Sequence, residues 1–388
     1  MSKWFRTSII VAIILALLGV APAHASTSQN STDDAVLIGV VQKYLQDRAQ
    51  RLTASSTIQG QSALTSAPVS SALAERLRAD AQAIDDRRTL LRSVNGGHKR
   101  AEVSIANAQV VHGDDKAAVA LTEHTKLYFA RVLSGGPQAE EYQLRHSFEL
   151  VNKAGHWELA DAIPQLSIDG IPPDTYPQTP APAARPSEAP KGASSVEQPK
   201  TAVRVDKLAP GYRSPNNALN YDYEAMITYA YRHWSTYNTD YRTYGGQGGD
   251  CTNFISQIMI AGGWETAGAY PVSDRTHPSN WWYNSLGTFA TTYTWAAAHN
   301  WMQFARTHSG RVAALSHVRD MAIADVLQVD TDSDGNISHS MFVTDVGLGG
   351  DGEVDEQYMT YHSNDTKDKP LTSVIAAYPN GTWYAHRT

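Results

Sequence analysis

The chain has 388 residues, 42% of them hydrophobic, a formal charge of −7 at pH 7 and a single cysteine. That length supplies enough apolar chain for two ordinary domains, each with its own core. The acidic balance, with no basic stripe interleaved with aromatics, argues against nucleic acid as the main partner, and one cysteine excludes an intramolecular disulfide.

Lys3 and Arg6 precede an apolar run from Ile9 to Val20, and Ala23-His24-Ala25 supplies the small residues that signal peptidase requires before Ser26. Residues 1–25 read as a cleaved secretory signal, with an uncleaved anchor as the alternative. No other stretch approaches roughly 18 uninterrupted apolar residues, so the mature chain is expected off the membrane, secreted and extracellular or associated with the cell wall. Exported proteins are commonly stapled by paired cysteines. Without a pair, this one must be stable by packing, which leaves its thiol as a candidate reactive group.

Residues 32–169 form the first predicted domain. Val36, Leu37, Val40, Val41, Tyr44, Leu45, Ala49 and Leu52 keep helical spacing, and Leu73, Leu77, Ala81 and Ile84 do so again. Beyond Gly96-Gly97 the period changes to two over 101–111, 117–129, 141–151 and 157–162, with Gly- and Asp-rich turns between. Two helices followed by a four-stranded antiparallel meander make an α+β unit. In its order of elements it resembles the nuclear-transport-factor-like or cystatin-like folds. His98, His112, His124, His146 and His156 fall at strand ends or alternate positions and read as solvent-facing or packing residues, so the unit reads as a docking or spacer domain.

From 170 to about 205 the composition turns to Pro, Ala, Ser, Thr and Gln, which favours an extended, solvated linker. The second predicted domain covers 210–388. It opens on a helix with Tyr223, Met226, Ile227, Ala230, Tyr231 and Trp234 on one face. Gly248-Gly249-Asp250-Cys251 follows, with apolar Phe254, Ile255, Ile258 and Met259 on one helical face before Gly262-Gly263 stops the run. Asp250 sits as an N-cap and Cys251 in the first turn, where unpaired N–H groups and the helix dipole favour a thiolate. Trp281 and Trp282 suit a cleft wall over a saccharide or peptide, or an ordinary core.

Asp330, Asp332 and Asp334 with Gly335 match the first half of a calcium loop, but Met341 stands where a bidentate glutamate is needed. A calcium hand is excluded; a partial structural calcium site and a plain acidic turn both remain open. His339 opens a strand that turns near Gly350 and returns through Val354 to Ser363, placing His339 opposite Tyr361 and His362. A general-base histidine needs its second ring nitrogen held, and His362, Asn364 or Asp365 offers that partner.

Tyr244-Gly245-Gly246-Gln247-Gly248-Gly249-Asp250-Cys251-Thr252-Asn253-Phe254-Ile255-Ser256-Gln257, Ser279-Asn280-Trp281-Trp282, Ser338-His339-Ser340-Met341-Phe342-Val343-Thr344 and Tyr361-His362-Ser363-Asn364-Asp365-Thr366 together resemble the putative amidase domain family of secreted bacterial proteins. That family is similar in plan to papain-like amidases, including the NlpC/P60 and CHAP groups. The resemblance implies a papain-like domain in which a nucleophile helix packs on an antiparallel sheet. It implies Cys251 as nucleophile, His339 as base and His362 or Asn364 as orienting residue, without deciding between them. The Cys251 amide would stabilise the oxyanion, with Gln247 as a second donor beside Asp250 in the cleft. No cofactor is required, and cell-wall peptide or peptidoglycan is the expected substrate or ligand. A wall-binding protein that keeps the fold without turnover and an acyltransferase using the same thioester are the alternatives. Oligomeric state is not written in the sequence.

Overall fold

The computed structural model describes residues 27–54, 63–168, 170–177, 221–245, 249–268, 274–285 and 290–388. The signal-like segment 1–25, the linker beyond 177 and Gln247 lie outside the described residues. Among the described residues no helix is long and apolar enough to cross a membrane.

The first half follows its sequence pattern. Helix α1 (Thr27–Arg51) buries Leu37, Val41, Tyr44, Leu45 and Ala49, and helix α2 (Ser71–Ser93) buries Leu73, Leu77, Ala81 and Ile84. Both cover one face of the meander β1 (His98–His112), β2 (Lys116–Phe129), β3 (Ala139–Lys153) and β4 (His156–Pro164), whose neighbours all pair antiparallel. Strict alternation of burial along β2 is the period-two signal made physical: one face meets the helices.

The second half holds α3 (Tyr223–His233), α4 (Cys251–Ala261), α5 (Tyr293–Ala296), α6 (Ala298–Gln303), β5 (Ala313–Ala314), β6 (Val326–Asp330), β7 (His339–Leu348), β8 (Val354–Tyr361), β9 (Thr366–Pro370), α7 (Leu371–Ala377) and β10 (Thr382–Arg387). Every residue of β6 is buried, as are His339 to Thr344 of β7, because these central strands are covered on both faces. Phe254, Ile255, Ile258 and Met259 of α4 join Met341, Phe342 and Val343 of β7 in the same apolar core.

The two halves do not stand apart as the sequence reading had them. The sheet runs β1-β2-β3-β9-β8-β7-β6-β10-β5, a mixed α+β fold on one large antiparallel sheet. The joint is short: Glu141 pairs Lys367 and Tyr142 pairs Thr366. Residues 170–177, assigned to a solvated linker, are packed instead. Ile171 enters the core around α4, and Tyr176 the core under α1 and α2.

A buried charge cluster closes the seam beside that joint. Asp174 accepts from Arg87 at 2.8 Å and from Lys369 at 2.7 Å, and Lys369 reaches Glu140 at 3.5 Å. Arg87 also donates to the Ser373 carbonyl at 2.6 Å, so α2 is tied directly to α7. Burial pushes Glu140 up to about 7 and His98, 3.7 Å away, down to about 4. His98 is therefore a buried neutral ring, and His146 is buried against Glu123 at 2.7 Å. Of the two roles the sequence allowed, solvent-facing or packing, both take the packing one.

A shared strand ladder and a buried ionic seam predict one cooperative unfolding transition for both halves, read by calorimetry and denaturant titration. Lys369→Met removes the cation between Asp174 and Glu140, and should cost about 3–5 kcal/mol and separate the two halves into distinct transitions.

Candidate active site

The turn into α4 is set by its glycine. Gly249 has φ 86°, a left-handed conformation, and a Cβ there would meet Ser363 Oγ at 2.6 Å. Asp250 follows, at the N-cap position but with a different task from the expected one: its side chain makes no capping bond to the helix backbone. Its Oδ1 accepts from the Tyr244 amide and from Asn253 Nδ2, each at 2.9 Å, and its Oδ2 meets His362 Nδ1 at 2.7 Å. The Asp250 amide donates to Ser363 Oγ at 2.8 Å. Asp250 is thus a buried hub that fixes the turn, not a group lining a cleft.

His362 is equally committed. Its Nε2 lies 2.8 Å from the His233 carbonyl, and its ring is stacked between Phe254 at 3.9 Å and Tyr237 at 4.0 Å. Both ring nitrogens face acceptors, so the arrangement calls for two N–H groups and a charged imidazolium. Burial acts to lower the His362 pKa, but the bond to Asp250 and the nearby Asp365 carboxylate outweigh it, and the net shift is upward.

Cys251 opens α4 with 3% of its surface exposed. Its Sγ is 3.7 Å from Thr252 Oγ1, which lies 2.9 Å from Ser340 Oγ; Gln328 Nε2 donates to that hydroxyl at 2.8 Å. Burial pushes the thiol up to about 11, while hydrogen bonds to Thr252 and to the Ser340 backbone work the other way. The helix-terminus argument for a lowered pKa therefore loses to desolvation in the resting site. Ser340 directly follows His339 in the chain. That histidine is fully buried at the start of β7, edge-on to the Tyr361 ring at 5.0 Å.

The two orienting candidates that the family resemblance implies are engaged elsewhere. His362 is held by Asp250 and the His233 carbonyl. Asn364 turns away: its Oδ1 accepts from the Ser167 amide at 2.8 Å and its Nδ2 donates to the Ser167 carbonyl at 3.3 Å. The β7–β8 ladder is paired only as far as Phe342 with Thr360 and β8 ends at Tyr361, so His362 and Asn364 lie in the turn beyond it, where their own partners fix them. Trp281 and Trp282 are not cleft walls either. Trp281 is fully buried, stacked on Phe304, and donates to Ser256 Oγ at 3.1 Å; Trp282 is 4% exposed.

The acidic turn brings the carboxylates of Asp330, Asp332 and Asp334 within 4.8 Å of one another, an all-oxygen set of the kind calcium takes. Asp330 also closes the turn itself, accepting from the Asp334 amide at 3.2 Å and the Gly335 amide at 2.8 Å. Asp250, Ser363, Thr252 and Ser340 are the residues whose roles the sequence concealed. Each sat within a quoted motif, but nothing in the string says which partner a short polar side chain will face.

Because the His362 pKa is raised on folding, its contribution to stability is complete below its unfolded value of about 6.5 and is lost as pH rises through the folded value. His362→Gln should therefore destabilise by about 3 kcal/mol in acid, by leaving a buried carboxylate without its cation, and by less at pH 8.5. Urea titrations of both proteins at pH 5.5 and 8.5 measure the difference.

Residues 220–385 match the family model described as a putative amidase domain. The uncharacterized protein YhbB of Bacillus subtilis (strain 168) is 29% identical over 131 residues, which cover 32% of this chain and 38% of that protein. The match thus spans well under two thirds of the relative's length. The crystal structure of the Kfla4162 protein from Kribbella flavida aligns with 35% of this chain and 93% of its own at 17% identity, with a TM-score of 0.22. The stretch 220–385, which holds Cys251, His339 and the hub that fixes their turn, belongs to the putative amidase domain family.

Proposed function

We propose that the protein is an exported cysteine amidase or peptidase with a papain-like plan, acting on peptides of the cell wall. The observation that carries the reading is the meeting of α4 and β7 inside an amidase-family stretch. The only thiol opens the helix, and the Ser340 backbone that acts on it follows His339 directly in the chain, which supports the pairing of the two.

The chemistry follows from the groups at that meeting. The resting thiol is protonated, since burial pushes it up to about 11. An imidazole nitrogen of His339 takes the thiol proton as Sγ attacks the amide carbonyl, and the carbonyl π electrons move to oxygen. The Asp250 amide is committed to Ser363, so the first-turn amide of Cys251 is the donor for that oxyanion, and Gln247, shortly before it in the sequence, is a second candidate. Collapse breaks the C–N bond, with the leaving amine taking the proton from His339. Water, deprotonated by His339, then cleaves the thioester, restoring the thiol and releasing the acid. An amine in place of water would make the same site an acyltransferase.

The signal-like segment 1–25 supports a site outside the cell, where cell-wall peptides are among the accessible amides. The acidic turn at Asp330 takes no part in these steps.

The test is the rate of Cys251 alkylation against pH in the full chain and in His339→Ala, together with hydrolysis of peptidoglycan fragments. If the two groups are coupled, the inflection of the full chain falls below the value of about 11 to which burial pushes the thiol, and it moves upward in His339→Ala. Cys251→Ala should lower amide hydrolysis by roughly a thousandfold or more. A profile indifferent to His339 overturns the cysteine amidase in favour of a wall-binding protein.

A further inference from the structure

Three places in the chain meet beside the nucleophile turn: Ser167 and Gly170, where the chain leaves the N-terminal half, 249–251, and 363–364 between β8 and β9. Ser363 and Asn364 occupy the left-handed region in succession, with φ of 69° and 76°, and neither is glycine. Glycine would adopt such a turn without strain. The side chains are therefore kept for what they do, and each makes a bond glycine could not make.

Ser363 Oγ accepts from the Asp250 amide at 2.8 Å, the residue directly before Cys251. Asn364 faces the other way and holds the Ser167 backbone through both halves of its amide, at 2.8 and 3.3 Å. The contact is close packed as well as hydrogen bonded. A Cβ on Gly170 would fall 1.8 Å from the Ser363 carbonyl oxygen. On the far side of the turn, the Gln143 amide of β3 donates to the Asp365 carbonyl at 2.9 Å, and Asp365 accepts from Tyr237 at 2.8 Å.

We propose that Ser363 and Asn364 are positioning residues through which the N-terminal half sets the nucleophile turn, so that this half is part of the catalytic scaffold and not a spacer. The proposal rests on Cys251 being the nucleophile. The path is physical and short: Ser167 and Gly170 hold the turn 363–364, the turn holds the Asp250 amide, and Asp250 holds Cys251 at the head of α4. Because Asp250 is also fixed by His362, Asn253 and the Tyr244 amide, losing Ser363 or Asn364 should displace the turn without unfolding it.

The test compares Asn364→Gly, Asn364→Asp and Ser363→Ala with the unaltered full chain. Glycine relieves the left-handed strain but cuts the tie to Ser167, so Asn364→Gly should keep or raise the melting temperature while kcat falls roughly 10- to 100-fold at little changed KM. Its alkylation inflection should move up from that of the unaltered chain as the nucleophile turn shifts. Asp tolerates the same backbone and keeps the acceptor for the Ser167 amide, so Asn364→Asp should recover most of the loss. Ser363→Ala should match Asn364→Gly in kcat and in faster amide exchange over 249–254. Wild-type kcat, profile and exchange in both Asn364→Gly and Ser363→Ala overturn the proposal. If the unaltered protein's profile is indifferent to His339, the nucleophile reading fails instead, and unchanged exchange in Asn364→Gly would then separately overturn the turn-setting role.

Discussion

The buried pair of Asp250 and His362 is the constraint on which the cysteine-bearing site depends. Its 2.7 Å contact joins the head of α4 to the end of β8, and both groups are almost fully shielded from water. A carboxylate in such a place is tolerable only if its lone pairs are met by donors, and Asp250 is met by an amide N–H, an asparagine side chain and an imidazolium. Aromatic faces on both sides of His362 exclude the space in which it could rotate. The pair therefore fixes one turn geometry, and that geometry determines where the next residue, Cys251, points.

The same logic of buried charge operates at the seam between the halves. Asp174 receives both Arg87 and Lys369, from α2 and β9, while sitting in a segment that follows the meander. Lys369 finds both of these carboxylate partners, Asp174 and Glu140, across the seam, and burying it without them would leave its charge unpaired at a cost of several kcal/mol. The halves have separate apolar cores, yet their polar interiors are incomplete until the sheet is joined. This distinguishes the arrangement from two beads on a linker, in which the interface would be polar, hydrated and dispensable.

What could be read from the sequence was what depends on local periodicity. The alternation along β2 and β3, the apolar face of α4 and the opening of β7 at His339 are all one-dimensional signals, and the structure places these elements with boundaries shifted by only a few residues. What could not be read was pairing at a distance. Thr366–Pro370 reads Thr-Lys-Asp-Lys-Pro, with no apolar residue before its proline, yet it is the strand that joins the two halves, because Asp368 and Lys369 are buried against partners from elsewhere. Pro172 and Pro173 gave residues 170–177 a linker composition, but Ile171 and Tyr176 carry enough apolar surface to draw the segment down onto both cores. Trp281 shows the converse: an aromatic cluster that could line a cleft is taken into the core as soon as Phe304 and Trp295 are available to stack on it.

The raised thiol at Cys251 follows from the same shielding and bears on how such a site can work. An isolated thiolate at this depth would be costly, so on the proposed mechanism the charge is created together with its counter-charge, by transfer to the His339 imidazole, and not held in advance. That favours a neutral resting pair, and it makes reactivity depend on the separation of Cys251 and His339 more than on the acidity of either group. Separation is set by the Asp250 hub on one side and by the Ser340 hydroxyl, with its bonds to Thr252 and Gln328, on the other. The polar groups packed around Cys251 and Ser340 are thus explained by position: they hold α4 and β7 at one spacing, inside a region dry enough for a transferred proton to produce a strong field.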